Sequence, residues 1–237
     1  MKRPPRRGVS RDGSASQPER AITVRCVHPP EPPGAPSTVR ALALDDGRLA
    51  VIAVGHGATA EPRAEIAERA LNAACSALRN DIDHDAMGRS IHALSEQIRL
   101  LGRSTEPRHT GAGRSSLGAS LLVLRLSADA TETWCLACGE VELHLLDTDG
   151  EALPLDPRLT NRPRTPLPDG YTQSVWCRLD LPLDGHVVLT TASALTTAPP
   201  PRALLDSLSD GAASNHARGL HGFLWLSLGR PRTHGFT

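Results

Sequence analysis

Residues 39–58, VRALALDDGRLAVIAVGHGA, decide how the rest of the chain is read. Two apolar runs, Val39 to Leu44 and Arg48 to Val54, flank Asp45-Asp46-Gly47. An Asp-Gly pair between two such runs predicts a β-hairpin, because a tight turn needs residues that tolerate positive φ. Helical spacing follows at once. Ile66, Ala67, Ala70, Leu71, Ala74, Cys75 and Leu78 recur on one face of residues 61–80, and Glu61, Pro62 and Glu65 suit a first turn. The stripe Met87, Ile91, Leu94, Ile98 and Leu101 predicts a second helix over 85–101, with Gly102 as its stop.

Beyond a polar, Gly-rich loop at 102–116, the period changes from helix to strand. Residues 119–126, 132–137, 141–146, 173–179 and 186–191 read as strands, and the Pro-rich stretch 154–168 reads as a loop. Short helices are expected over 202–209 and 211–218, before a closing strand at 223–228. On the N-terminal side, residues 1–20 are rich in Arg, Pro, Ser and Gly. They carry too little apolar surface to offset the entropy of ordering, so they read as a flexible tail. The expected division is a tail at 1–20, one domain at 21–230 and a short tail at 231–237. Helices grouped together and strands in succession place the domain in the α+β class.

The bulk composition narrows the function classes. The chain has 237 residues, of which 26 are Lys or Arg and 26 Asp or Glu, giving zero net charge. Neutrality argues against nucleic acid as a partner, since that requires a positive field. No apolar run reaches the 18 residues of a membrane span, and no apolar stretch follows the basic start, so neither a membrane nor a secretory signal is expected. Cys26, Cys75, Cys135, Cys138 and Cys177 are odd in number and scattered, which argues against a disulfide framework and for a reduced, cytoplasmic setting.

Five blocks in order resemble the PP2C-type (PPM) metal-dependent Ser/Thr protein phosphatases. RLAVIAVGHGA at 48–58 is similar to the family's apolar strand ending in Asp-Gly before a long helix. GASLLVL at 118–124 stands in the place of its Gly-Thr-Thr step, and LACGEVELHLL at 136–146 in the place of Gly-Asp-Ser. VVLTTASAL at 187–195 resembles the strand ending in Ser-Asp-Gly-Leu, and HGFLWLSL at 221–228 the final Asp-Asn strand. The resemblance spans residues 36–230. It implies a PP2C-like β-sandwich flanked by antiparallel helices, in four layers αββα.

It also implies where the chemistry would lie. The family holds two Mg or Mn ions with carboxylates, because hard cations select anionic oxygen, and the metal-bound water attacks the phosphoryl group. Carried over residue by residue, the first Asp falls on Val54 and the retained Gly on Gly55, followed by His56. The acidic pair before the hairpin falls on Val39 and Arg40, and the later acids fall on Ser193 and His221. Glu140 alone keeps a carboxylate, standing for the Asp of Gly-Asp-Ser. Arg25 is a counterpart for the family's phosphate-binding Arg. One carboxylate cannot hold two divalent ions, so the expected catalytic, cofactor and metal residues are none. The expectation is a pseudophosphatase that binds a protein partner, such as a Ser/Thr kinase or a phosphoprotein.

Rival readings remain. A divergent phosphatase with displaced ligands would use Mg or Mn and draw on Asp45, Asp46, Asp81, Asp83 and Asp85. His56, Glu140 and His221 form a possible Zn set. Cys135 and Cys138 make a CxxC, but both flanks read as strand, which favours core cysteines. Ser193 lacks the glycines of a nucleophile elbow, and 111–114 (GAGR) lacks a phosphate-loop signature.

Overall fold

The computed structural model describes residues 21–27, 38–57, 59–80, 82–105, 117–127, 132–182, 184–191 and 223–229. In chain order these form β1 (Ala21–Val27), β2 (Val39–Leu44), β3 (Leu49–His56), α1 (Ala60–Leu78), α2 (His84–Thr105), β4 (Gly118–Leu126) and β5 (Thr133–Cys138). Then come β6 (Val141–Leu146), β7 (Ala152–Leu153), α3 (Pro157–Thr160), β8 (Val175–Arg178), β9 (Gly185–Thr191) and β10 (Phe223–Gly229).

The strands make two antiparallel sheets, ordered β2-β3-β4-β5-β8 and β1-β10-β9-β6-β7. Period-two alternation assigns each face of the first sheet. Leu49, Val51, Ala53, Leu121 and Val123 pack with Ile66, Ala70, Leu78, Ile91 and Ile98 of the helices. Ala50, Ile52, Leu122 and Leu124 pack instead with Val141, Leu143, Val187, Leu189, Leu224 and Leu226 of the second sheet. The described residues thus stack as helices, sheet and sheet, which matches the expected α+β sandwich. The short helices expected at 202–218 lie outside the described residues, as do both tails.

A strand buried on both faces should be apolar throughout, and β4 is so except at Ser120 and Arg125. Arg125 is 3% exposed. It donates to Asp45 Oδ2 at 2.9 Å and to the Arg79 carbonyl at 3.3 Å. A buried guanidinium with these partners ties the hairpin tip to the end of α1. The tip itself is a short 3-10 turn over Asp45–Gly47, with Asp45 at φ 52° and Gly47 at φ 87°. These are left-handed values, which Gly accepts freely and Asp more readily than most residues.

Four details depart from the sequence reading. The first strand read from the sequence is Val39 to Leu44, whereas Ala21–Val27 already forms β1, which pairs with β10 in the register Ala21↔Gly229. The stretch 154–168 contains the short helix α3, capped by Asp156, whose side chain accepts from Arg158 N–H at 2.8 Å. Helix α2 starts one residue earlier than expected, where Asp83 Oδ1 accepts from Ala86 N–H at 2.8 Å. It also runs through Gly102 to Thr105. Gly102 is buried, and packing outweighs the ~1 kcal/mol that glycine costs inside a helix. Gly88 lies exposed in the same helix, and a methyl group there meets no atom of the described residues within 4 Å. Gly88→Ala is expected to raise stability by about 0.5–1 kcal/mol in urea unfolding; a loss would contradict this account.

Candidate functional site

The sheet end where β3 finishes and β4 begins gathers four of the residues singled out above. In the β3–β4 register Val54 faces Ser120 and His56 faces Gly118. The β5–β6 turn, Gly139-Glu140, closes over Ser120. Ser120 is fully buried, yet it is polar within an apolar strand. Its Oγ accepts from Glu140 N–H at 2.8 Å and lies 2.7 Å from His56 Nε2. The arrangement that satisfies all three groups has Ser120 O–H donating to a neutral His56 whose own proton is on Nδ1.

Space at this end is set by two glycines. A methyl on Gly55 would lie 1.8 Å from the carbonyl oxygen of Arg63, so α1 sits directly on the strand backbone. Gly139 has φ 76°, and a methyl there would lie 2.2 Å from Ser120 Oγ. Arg162 holds the same turn from outside. It donates to the carbonyls of Gly139, at 2.6 Å, and of Val141.

Val54 stands directly opposite Val39 across the β2–β3 ladder. Neither side chain carries an oxygen or nitrogen donor. The neighbouring Arg40 is held by Glu68, Nε to Oε2 at 3.0 Å. Among the described residues no three His, Cys, Asp or Glu side chains gather closely enough to hold an ion. Of the alternative acids, Asp45 is paired with Arg125 and Asp83 caps α2. Asp85 is exposed in the first turn of α2, and the Asp46 side chain and Asp81 lie outside the described residues.

Ser193, His221 and residues 111–114 also lie outside the described residues, and so does the side chain of Arg25. The strands leading to the first two do converge on this end. Thr191, the last residue of β9, pairs with Val141 beside Glu140, and Phe223 of β10 pairs with Thr190. Val54, Gly55, His56 and Glu140 are thus brought to one strand end. The sequence reading missed Arg63, Ser120, Gly139 and Arg162. Ser120 had a signal, a hydroxyl in the midst of the apolar run 117–124.

Cys135 and Cys138, three apart on β5, fall in the cores on opposite faces of the sheet. They cannot act as a chelating or redox pair with each other. Burial pushes both thiols up, Cys138 to about 11.

Burial pushes the His56 imidazole below its ordinary range; nearby Glu140 opposes this and Arg63 adds to it. His144 and His186 are lowered by burial too, against Glu142 and Asp147 respectively. The unfolded chain protonates these histidines near pH 6.5, the folded chain at lower pH. Stability is then complete above the unfolded value and falls as pH drops through it toward the folded values. The melting temperature should decline from pH 7.5 to 5, with His56→Gln removing part of the slope. A flat profile would rule out this linkage.

Neither a family model nor a curated protein matches the sequence. Solved structures do match. The PPM Ser-Thr phosphatase MsPP from Mycobacterium smegmatis superposes with TM-score 0.56 at 15% identity, covering 89% of this chain and 98% of that one. PppA, a key regulatory component of the T6SS in Pseudomonas aeruginosa, gives 0.55 at 15% identity, covering 90% and 98%. The serine/threonine phosphatase of S. agalactiae gives 0.57 at 12% identity, covering 90% and 100%. At these identities the likeness establishes the fold, and the fold is that of the PPM phosphatases.

Proposed function

We propose that this chain, having the PPM phosphatase fold, is a catalytically inactive phosphatase-like domain that serves as a protein-binding or regulatory module in Ser/Thr phosphorylation signalling. The observation that carries the reading is the Val39–Val54 pair. Two directly opposed side chains without donors occupy the strand end where a hard dication would need carboxylate oxygen. His56 adds to it, because its Nε2 lies 2.7 Å from Ser120 Oγ, and the arrangement that satisfies both groups commits the Nε2 lone pair to that hydroxyl. What remains is a scaffold end with a polar rim, including the exposed Glu140, suited to contact with a protein. The solved relatives are phosphatases or a regulatory component, so a phosphoprotein or a kinase is the class of partner proposed.

The purified protein is expected to show no Mn-dependent hydrolysis of para-nitrophenyl phosphate above a no-enzyme control and no tightly bound Mn on metal analysis. Titration with phosphopeptides and Ser/Thr kinases should detect a partner. Mn-dependent turnover abolished by Glu140→Ala or His221→Ala would overturn the proposal. It would instead establish the second reading, a divergent phosphatase with a rebuilt site. That reading draws on the convergence of His56, Glu140 and the strands leading to Ser193 and His221 on one end.

A further inference from the structure

A largely apolar cavity with a charged wall, its lining free of His56, lies at the open edge of the second sheet. It has a volume of about 180 Å³ and is walled by Glu142, His144, Thr160, Arg162 and Arg164 over an apolar floor that includes Leu159. A water takes up about 30 Å³ of liquid, so there is room for a tetrahedral ion. The cavity exists because β7 pairs with only Leu145 and Leu146, so that among the described residues the start of β6 has no strand neighbour on that side.

Among the described residues, the charges around it do not balance. Arg162 is half-buried, and its hydrogen bonds go to the neutral carbonyls of Gly139, Val141 and Pro163. Its Nε is buried and has no hydrogen-bond partner among the described residues. The carboxylate on the cavity wall, Glu142, is bound to Arg164. Glu142 also lies 3.5 Å from His144 Nε2, which has no closer hydrogen-bond partner among the described residues. Two guanidinium groups therefore share one carboxylate. A cation withdrawn from water is costly unless it is compensated by negative charge or by satisfied donors. Guanidinium groups match phosphate oxygens geometrically, and the Thr160 hydroxyl, which donates to the Pro157 carbonyl at 3.3 Å, can turn from that long bond to add a further contact.

We infer that this cavity binds a phosphate-class oxyanion through Arg162, Arg164 and Thr160. The anion supplies the missing negative charge, and Glu142 is the internal carboxylate that it displaces from Arg164. Arg162 also grips both carbonyls flanking Glu140. The site therefore touches the turn that closes over Ser120, while its lining includes neither His56 nor Val54.

Isothermal titration of the intact chain with inorganic phosphate, at ionic strength held constant with chloride, tests the inference. Saturable binding is expected. Arg164→Gln should weaken it about tenfold or more, the loss of one charge-assisted contact. Glu142→Gln should tighten it, since a competing carboxylate is gone. Arg164 and Glu142 line the rim and not the core, so both variants should fold. His56→Gln should leave phosphate affinity unchanged, which separates this site from the strand-end cleft. A parallel titration with a phosphoserine peptide and its unphosphorylated form identifies the source. Tighter binding of the phosphopeptide than of free phosphate assigns a phosphorylated side chain, and the reverse assigns the free ion. Absence of saturable phosphate binding, equal affinity in Arg164→Gln, or weaker affinity in Glu142→Gln would each overturn the inference.

Discussion

Gly55→Ala is expected to destabilise the domain by about 3–5 kcal/mol, at the upper end for a single methyl group. The new Cβ would lie 1.8 Å from the Arg63 carbonyl oxygen, 2.6 Å from its carbon and 2.9 Å from its Cα. All three are backbone atoms, so no side chain can rotate away. Helix α1 would have to lift from β3 and take Ile66, Ala70 and Ala74 out of the core. Total stabilities of such domains are only about 5–15 kcal/mol. The urea midpoint should therefore fall steeply and the folded yield with it. Gly88→Ala, on the other helix, is the matched control. A loss below about 1 kcal/mol at Gly55 would show that α1 is not seated as described.

The second large effect is expected at the turn over Ser120. Gly139→Ala places an L-residue at φ 76°, which costs about 1–2 kcal/mol by itself. It also sets a methyl 2.2 Å from Ser120 Oγ and 2.8 Å from Ser120 Cβ. Together these should amount to about 3 kcal/mol. In a Ser120→Gly background both atoms are gone and only the Ser120 Cα at 3.0 Å remains close, so the same substitution should cost little beyond the backbone part, about 1–2 kcal/mol. The His56 ring gives an independent readout. Its titration, followed by NMR, should rise toward pH 6.5 in Gly139→Ala as the site opens to water. Additive costs in the double variant, with an unmoved His56 titration, would count against the clamp of Gly139, Ser120 and His56.

These two glycines mark the boundary of what could be read directly. Gly55 was noted in the sequence for a place in a motif. Its physical reason, the carbonyl of Arg63 resting against it, belongs to a helix that the sequence does not orient. The same holds for His56. The sequence offered it as a metal ligand candidate, and the structure gives its Nε2 to Ser120 instead. Cys135 and Cys138 illustrate the opposite case. Once their flanks read as strand, period two alone puts residues three apart on opposite faces, as observed.

Local chemistry determined a good deal by itself. The hairpin at 39–54, both long helices and strands β4, β5 and β6 follow from turn residues and from the period of apolar side chains, and these are local quantities. The order of blocks along the chain carried the sandwich class. Tertiary structure decided the rest. β1 is a strand because β10, some 200 residues away in sequence, pairs with it; α3 and the Arg162 clamp depend on a β6 edge that only the assembled sheet defines. Which residues surround His56 was set by the register of β3, β4 and the β5–β6 turn. Register is a relation between distant segments, fixed by closing the core, and no single stretch of sequence contains it.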